Sequence, residues 1–170
     1  RSRAKRTPAQ EKKIRRSRIG WLALLVLVVY ASALAGSFIW SDREDILLGA
    51  NRLQNLDDLS AAMSTTGEAF RSRVLGGTAD PSAGSWQPLS ILSYTTDWAL
   101  WGDCAFCFHL ENVLLHGSLV IAVFLLGQRL LAKRRHGGRI AVWAAALFAV
   151  HPATVSSVAW IGGRPYLLAA

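Results

Sequence analysis

Polar and apolar positions along the chain come in long blocks, not in spaced periodicities. Residues 1–18 (RSRAKRTPAQEKKIRRSR) are polar and basic, and Ile19–Trp40 follows as 22 residues without a charge. That at least matches the roughly 20 apolar residues a bilayer-crossing helix needs. Ser41 to about Asp103 is polar again, Phe108–Leu131 is apolar, Lys133–Arg139 is basic, and Ile140–Ile161 is apolar around His151-Pro152. The pattern predicts an all-α integral membrane protein. Transmembrane helices are expected at 19–40, 106–132 and 140–161, with a tail at 1–18, an external segment at 41–105, a basic loop at 133–139 and a turn at 162–170.

Within the external segment, Asp45–Leu53 and Leu56–Phe70 read as short interfacial helices, and 76–84 as a loop by its breakers. Ser90–Gly102 carries Trp98 and Trp101 three apart and reads as a helix lying along the interface. The third span runs only 11 residues before Pro152. Its helix therefore either kinks or ends there. Gly162-Gly163-Arg164-Pro165 breaks the chain, and Tyr166–Ala170 would open a further span. With no initiator Met and an apolar end, a longer product is expected.

Charge orients this arrangement. The 170 residues are 52% hydrophobic with a net charge of +8. Nine of the basic residues precede the first span, and the next cluster follows the second. Such flanks are the positive-inside signal, place the N-terminus in the cytoplasm and favour anionic lipid headgroups. They argue against nucleic acid as a partner. The outer half of the first span (Ala31, Ala33, Ala35, Gly36, Ser37) is small-faced, which suits close helix approach. The expected partners are other integral membrane proteins and membrane lipids, and the expected location is a bacterial inner membrane.

The acids just outside the first span, Asp42, Glu44 and Asp45, are either a general base or divalent-metal ligands, or a solvated loop entrance. In the second span, His109, Asn112 and His116 lie at i, i+3 and i+7 on one helix face, with Glu111 off that stripe. Ionisable groups at membrane depth usually face protein or water. Asn112 and His116 are therefore expected to make interhelical hydrogen bonds. His151 precedes a proline that releases a backbone carbonyl, so a structural break is its default role. Cys104 and Cys107 form either a local disulfide or two apolar interface cysteines at helical spacing. No metal or cofactor is expected, since neither the His nor the Cys spacing completes a site.

Several pieces resemble, in order, the membrane domain of GT-C glycosyltransferases, especially the tetratricopeptide-repeat O-mannosyltransferase-like group. Phe38-Ile39-Trp40-Ser41-Asp42-Arg43-Glu44-Asp45-Ile46 with Asn51 resembles the family's aromatic-Asp-Asp motif. Trp86-Gln87-Pro88-Leu89-Ser90 is similar to its Arg-Pro-Leu loop, and Phe108-His109-Leu110, Asn112 and Leu114-Leu115-His116 to the start of its second membrane helix. His151-Pro152, Val158-Ala159-Trp160-Ile161, Gly163-Arg164 and Leu167-Leu168-Ala169-Ala170 resemble its third-helix exit and following turn. The resemblance implies transfer of a sugar from a polyprenyl-phosphate donor, with an external acid as general base. Four ionisable positions of the family pattern differ here: Ser41, Gln87, Ser156 and Tyr166 stand where an Asp, Arg, Glu and Asp are expected. These losses point to a non-catalytic accessory subunit of a larger membrane complex, of respiratory or photosynthetic type. The alternative is the N-terminal portion of an active transferase with Asp42 as base.

Overall fold

A computed structural model describes residues 7–39, Asp42 and residues 88–170. The expected interfacial helices at 45–53 and 56–70, the loop at 76–84, and Trp40, Ser41, Glu44, Asp45 and Gln87 lie outside the described residues. The described secondary structure is helical throughout: α1 (Pro8–Val29), α2 (Pro88–Trp101), α3 (Ala105–Leu130), α4 (Gly137–Ala149), α5 (Pro152–Ala159) and α6 (Arg164–Leu168), with 3₁₀ turns at Ala33–Ala35 and Ile161–Gly163.

Three membrane-crossing helices are not what these residues form. Among the described residues only α3 is by itself long and apolar enough to cross a membrane. Its 26 residues extend about 39 Å, more than the roughly 30 Å hydrocarbon core. The first expected span is displaced along the sequence. Thr7 and Gln10 close a reciprocal capping box with Pro8 at the first helical position, so α1 starts in the basic tail and its first half is highly charged. It stops at Val29, and the small residues beyond it turn through Ala33–Ala35 into extended chain. Gly36 lies hard against α3, where a Cβ would sit 2.8 Å from His109 Nε2.

The third expected span breaks between α4 and α5, whose axes are bent by 57°. His151 caps α5 by accepting from the Ala153 amide at 3.2 Å, and Pro152 takes the first helical position. The broken ladder leaves the Ala149 carbonyl without its helical donor, and His116 Nε2 lies 3.2 Å from it.

Packing follows from side-chain size. Ala141, Ala145 and Ala149 recur at every fourth position of α4 and are fully buried in one core with Val113, Val120 and Phe124 of α3. This alanine stripe lets the two backbones approach, and a Cβ on Gly127 would lie only 3.1 Å from Ala141 Cβ. Leu22, Val26 and Tyr30 of α1 complete the core. Trp21, Leu24, Leu114, Leu126, Trp143 and Leu147 are exposed on the outside of the bundle. Apolar surface on that scale marks a membrane or protein-contact face, not an ordinary aqueous surface.

Candidate functional site

At the end of the bundle where α3 begins, the α5–α6 turn inserts an arginine into protein. Gly163 makes the turn possible, because a Cβ there would meet the Ser156 carbonyl and Ser157 Cα at 2.8 Å. Arg164 follows directly and has no exposed surface. Its Nη1 donates to Asp97 Oδ2 at 2.6 Å and to Ser93 Oγ at 2.9 Å, both on α2. Nε donates to Asn112 Oδ1 at 2.9 Å and Nη2 to the Phe108 carbonyl at 3.2 Å, both on α3. Glu111 Oε2 lies 3.3 Å from Nη1 with its side chain about a third exposed.

Aromatic rings close the guanidinium in. The Arg164 carbon is 4.7 Å from the Tyr94 ring centre and 5.7 Å from that of Phe108, within cation–π range. Tyr94 donates its hydroxyl to the Ile161 carbonyl at 2.9 Å. Burial raises this phenol above its ordinary value, against the opposing effect of Arg164. The arginine thus ties α2, α3 and the α5–α6 turn into one unit through charge-assisted bonds.

Asp42 docks on the same turn. Its Oδ1 accepts from the Gly162 amide at 3.0 Å and its Oδ2 from the Ile39 amide at 3.2 Å, and the Trp160 indole lies nearby. Only 1% of Asp42 is exposed. Burial raises its carboxyl above the ordinary 3.8, opposed by the two amides and Trp160. Here too glycine is required, since a Cβ on Gly162 would sit 3.0 Å from Asp42 Oδ1 and 2.8 Å from the Trp160 ring. The acid expected at a solvated loop entrance is instead a buried, amide-bound carboxylate.

The remaining expected residues are divided between two places. Asn112 belongs to the Arg164 unit, where its Nδ2 also donates to the Trp160 and Val158 carbonyls at 3.1 and 3.4 Å. His109 is buried about one turn nearer the start of α3, against Gly36. His116 lies deeper, between the Tyr30 and Phe148 rings at 5.2 and 5.5 Å, and faces the α4–α5 break. His151 is exposed and serves as the α5 cap. Cys104 and Cys107 form a disulfide that closes the first turn of α3. Among the described residues, no group of three or more His, Cys, Asp or Glu gathers to hold a metal ion.

Sequence reasoning missed Arg164, Asp97 and Tyr94 as members of the site. Arg164 was legible as part of a chain-breaking Gly-Gly-Arg-Pro and of the Gly163-Arg164 resemblance, but not as a buried ion-pair partner. The available signal was its position beside an apolar run, since a charge there needs a buried counter-charge, and Asp97 and Glu111 were the candidates.

Over 148 residues the chain is 35% identical to the protein O-mannosyl-transferase Tmtc1 of Drosophila melanogaster, a match covering 82% of this chain and 15% of that protein. It is 34% identical over 153 residues to Tmtc2 of the same fly, covering 85% and 14%. Against human TMTC4 it is 30% identical over 166 residues, covering 88% and 21%. The chain is a homologue of protein O-mannosyl-transferases. It spans between 14% and 21% of the length of these relatives. No family model matches it, and no solved structure does. In this O-mannosyl-transferase homologue a match covering 88% of the chain takes in Asp42 of the candidate site, together with Asp97, Glu111 and Asn112, whichever end it leaves out.

Proposed function

We propose that the chain forms one corner of the membrane domain of a glycosyltransferase. That enzyme would take its sugar from a polyprenyl-phosphate carrier and use Asp42 as general base. One observation carries the proposal: Asp42 is pinned to the same α5–α6 turn that Arg164 welds to α2 and α3. A carboxylate held on a rigid corner and raised by burial is a stronger base than an exposed one. In the step itself, the acceptor hydroxyl gives its proton to Asp42 as its oxygen bonds to the anomeric carbon. The carbon–oxygen bond to the carrier phosphate breaks, and the phosphate leaves with that electron pair.

Membrane placement follows the same geometry. α3 crosses the bilayer, with the Asp42–Arg164 corner at its start and the basic 133–139 turn at its end. Arg18 Nη1 donates to the Gly138 carbonyl at 3.0 Å, so the basic tail and the basic turn share one end of the bundle. The positive-inside rule makes that end cytoplasmic and the Asp42 corner external.

A second proposal is the accessory subunit of a larger membrane complex. It is favoured by the closure of Asp42, which is 1% exposed and whose two carboxylate oxygens each accept from a backbone amide, of Ile39 and of Gly162. In that case Asp42 is only a latch. Sugar transfer from a polyprenyl-phosphate donor to a hydroxyl-bearing peptide, by the intact gene product in nanodiscs, separates the two. As base, Asp42→Asn lowers turnover at least about 100-fold while near-ultraviolet circular dichroism is retained. No turnover in the wild type, or equal turnover in the variant, sinks the base assignment. Stoichiometric co-purification with a membrane complex would then support the accessory role.

A further inference from the structure

At the far end of α3, about 24 Å along its axis from Asn112, α1 and the α3–α4 turn enclose a cleft of about 640 Å³. Lys12, Arg15 and Arg18 of α1 line one wall, Glu11 stands among them, and Gln128 and Gly138 lie opposite. The three cations outnumber the carboxylate by two. Lys12 and Arg15 are exposed, whereas Arg18 is half-buried and held by its bond to the Gly138 carbonyl. Glycine at 138 permits that docking, since a Cβ would lie 2.7 Å from Arg18 Nη1.

The cleft's level in the bundle identifies its occupant. Charges on α1 end at Arg18, the apolar run begins at Ile19, and the cleft also touches the last turn of α3. With α3 as a membrane span, this is the headgroup layer. One turn beyond Arg18, Trp21 is 69% exposed, and Leu24 continues the same apolar surface toward the bilayer centre. The volume falls within the range of about 300–1,000 Å³ usual for small-molecule sites. A nucleotide or a soluble anion would use the cations but not the apolar strip below them.

We propose that this cleft seats the phosphate of an anionic glycerophospholipid headgroup, with the acyl chains lying against the Trp21–Leu24 face of α1. Arg18 provides the fixed donor, and Lys12 and Arg15 close over the phosphate from solvent. Glu11 disfavours any second negative charge, which selects a singly charged phosphodiester. The site is remote from the Asp42 corner and holds whether or not the chain transfers a sugar.

The test is thermal unfolding of the purified protein in neutral detergent, titrated separately with short-chain phosphatidylglycerol, short-chain phosphatidylcholine and sodium phosphate. Two double variants carry the same charge change: Lys12→Gln/Arg15→Gln inside the cleft and Lys133→Gln/Arg134→Gln outside its lining. The expected result is stabilisation by phosphatidylglycerol, a much weaker shift with phosphate and none with phosphatidylcholine. The half-saturating lipid concentration rises about fivefold for each lost charge, hence about 25-fold in the cleft variant. It changes by less than about twofold in the outside pair. Equal losses in both pairs would mean a diffuse field and overturn the site. So would no response to phosphatidylglycerol, or a response to phosphate that equals it.

Discussion

Replacing Arg164 by Gln removes the only cation in contact with Asp97 among the described residues and leaves that carboxylate 4% exposed at the base of α2. Water cannot take over the lost interaction without opening the corner. Breaking a buried pair from one side typically costs about 3–5 kcal/mol. Glu111 adds less to this, because its side chain is about a third exposed and its contact with Nη1 is longer, at 3.3 Å. The three neutral acceptors, Asn112 Oδ1, Ser93 Oγ and the Phe108 carbonyl, lose donors as well. Arg164→Gln is therefore expected to fall at the upper end of that range.

The double-mutant cycle isolates the charge. Asp97→Asn alone keeps an acceptor for Nη1 and leaves Arg164 beside Glu111, so it should cost about 1–3 kcal/mol. In Arg164→Gln/Asp97→Asn no uncompensated charge stays buried. The double variant should therefore be more stable than the sum of the two changes requires, by at least about 1.5 kcal/mol. Arg164→Lys keeps the charge but presents its donors from one nitrogen, and cannot span Asn112, Asp97 and the Phe108 carbonyl together. It should fall between wild type and Gln. The measurement is unfolding free energy in detergent micelles, followed by near-ultraviolet circular dichroism, since Trp98, Trp101 and Trp160 lie at or beside this corner. Additive single effects, or a loss below about 1 kcal/mol in Arg164→Gln, would refute the buried-pair reasoning.

Two further outcomes follow from the same structure. The folded-state pKa of Asp42 is raised above 3.8, so the stability this group contributes is fully present below its unfolded value and is lost as pH rises through the folded one. The stability of wild type relative to Asp42→Asn should therefore fall as pH rises from about 4; a pH-independent difference in unfolding temperature would contradict this. In the packing between α3 and α4, Ala145→Leu inserts three carbons into a fully buried contact and should destabilise by about 1–3 kcal/mol or more. Leu147→Ala, at a position 66% exposed, should change micelle-based unfolding by no more than about 0.5 kcal/mol.

What could be read from the sequence was set by the range of each signal. Helical class and the long α3 follow from local composition, since Leu119–Leu126 admits little else in an apolar block. The ends of α1 did not follow from hydropathy. Its start depends on a Thr7–Gln10 cap inside a charged segment, and its stop on the backbone of Gly36 packing against a histidine some seventy residues later. The break before α5 was visible at Pro152, but the partner for the released carbonyl was a choice among polar residues on another helix. Small residues were noticed in Ala31–Ser37, while the closest helix packing in fact uses the alanines of α4.

The site shows the same limit more sharply. Position alone, just beyond an apolar span, leaves Asp42 open as a general base, a metal ligand or a solvated loop acid. Its burial depends on Gly162, 120 positions away, which no local pattern connects to it. Two of the positions expected to depart from the family's ionisable pattern can be placed in the structure. Tyr166 is 68% exposed and Ser156 is exposed, so both lie outside the buried unit. Arg164, Asp97 and Asn112 form a buried cluster inside it, with Glu111 about a third exposed at its edge. Desolvating such charges commonly offsets their attraction, so the cluster contributes geometry more than net stability. What the Arg164–Asp97 pair does for Asp42 is positional: it fixes the α5–α6 turn whose Gly162 amide holds that carboxylate.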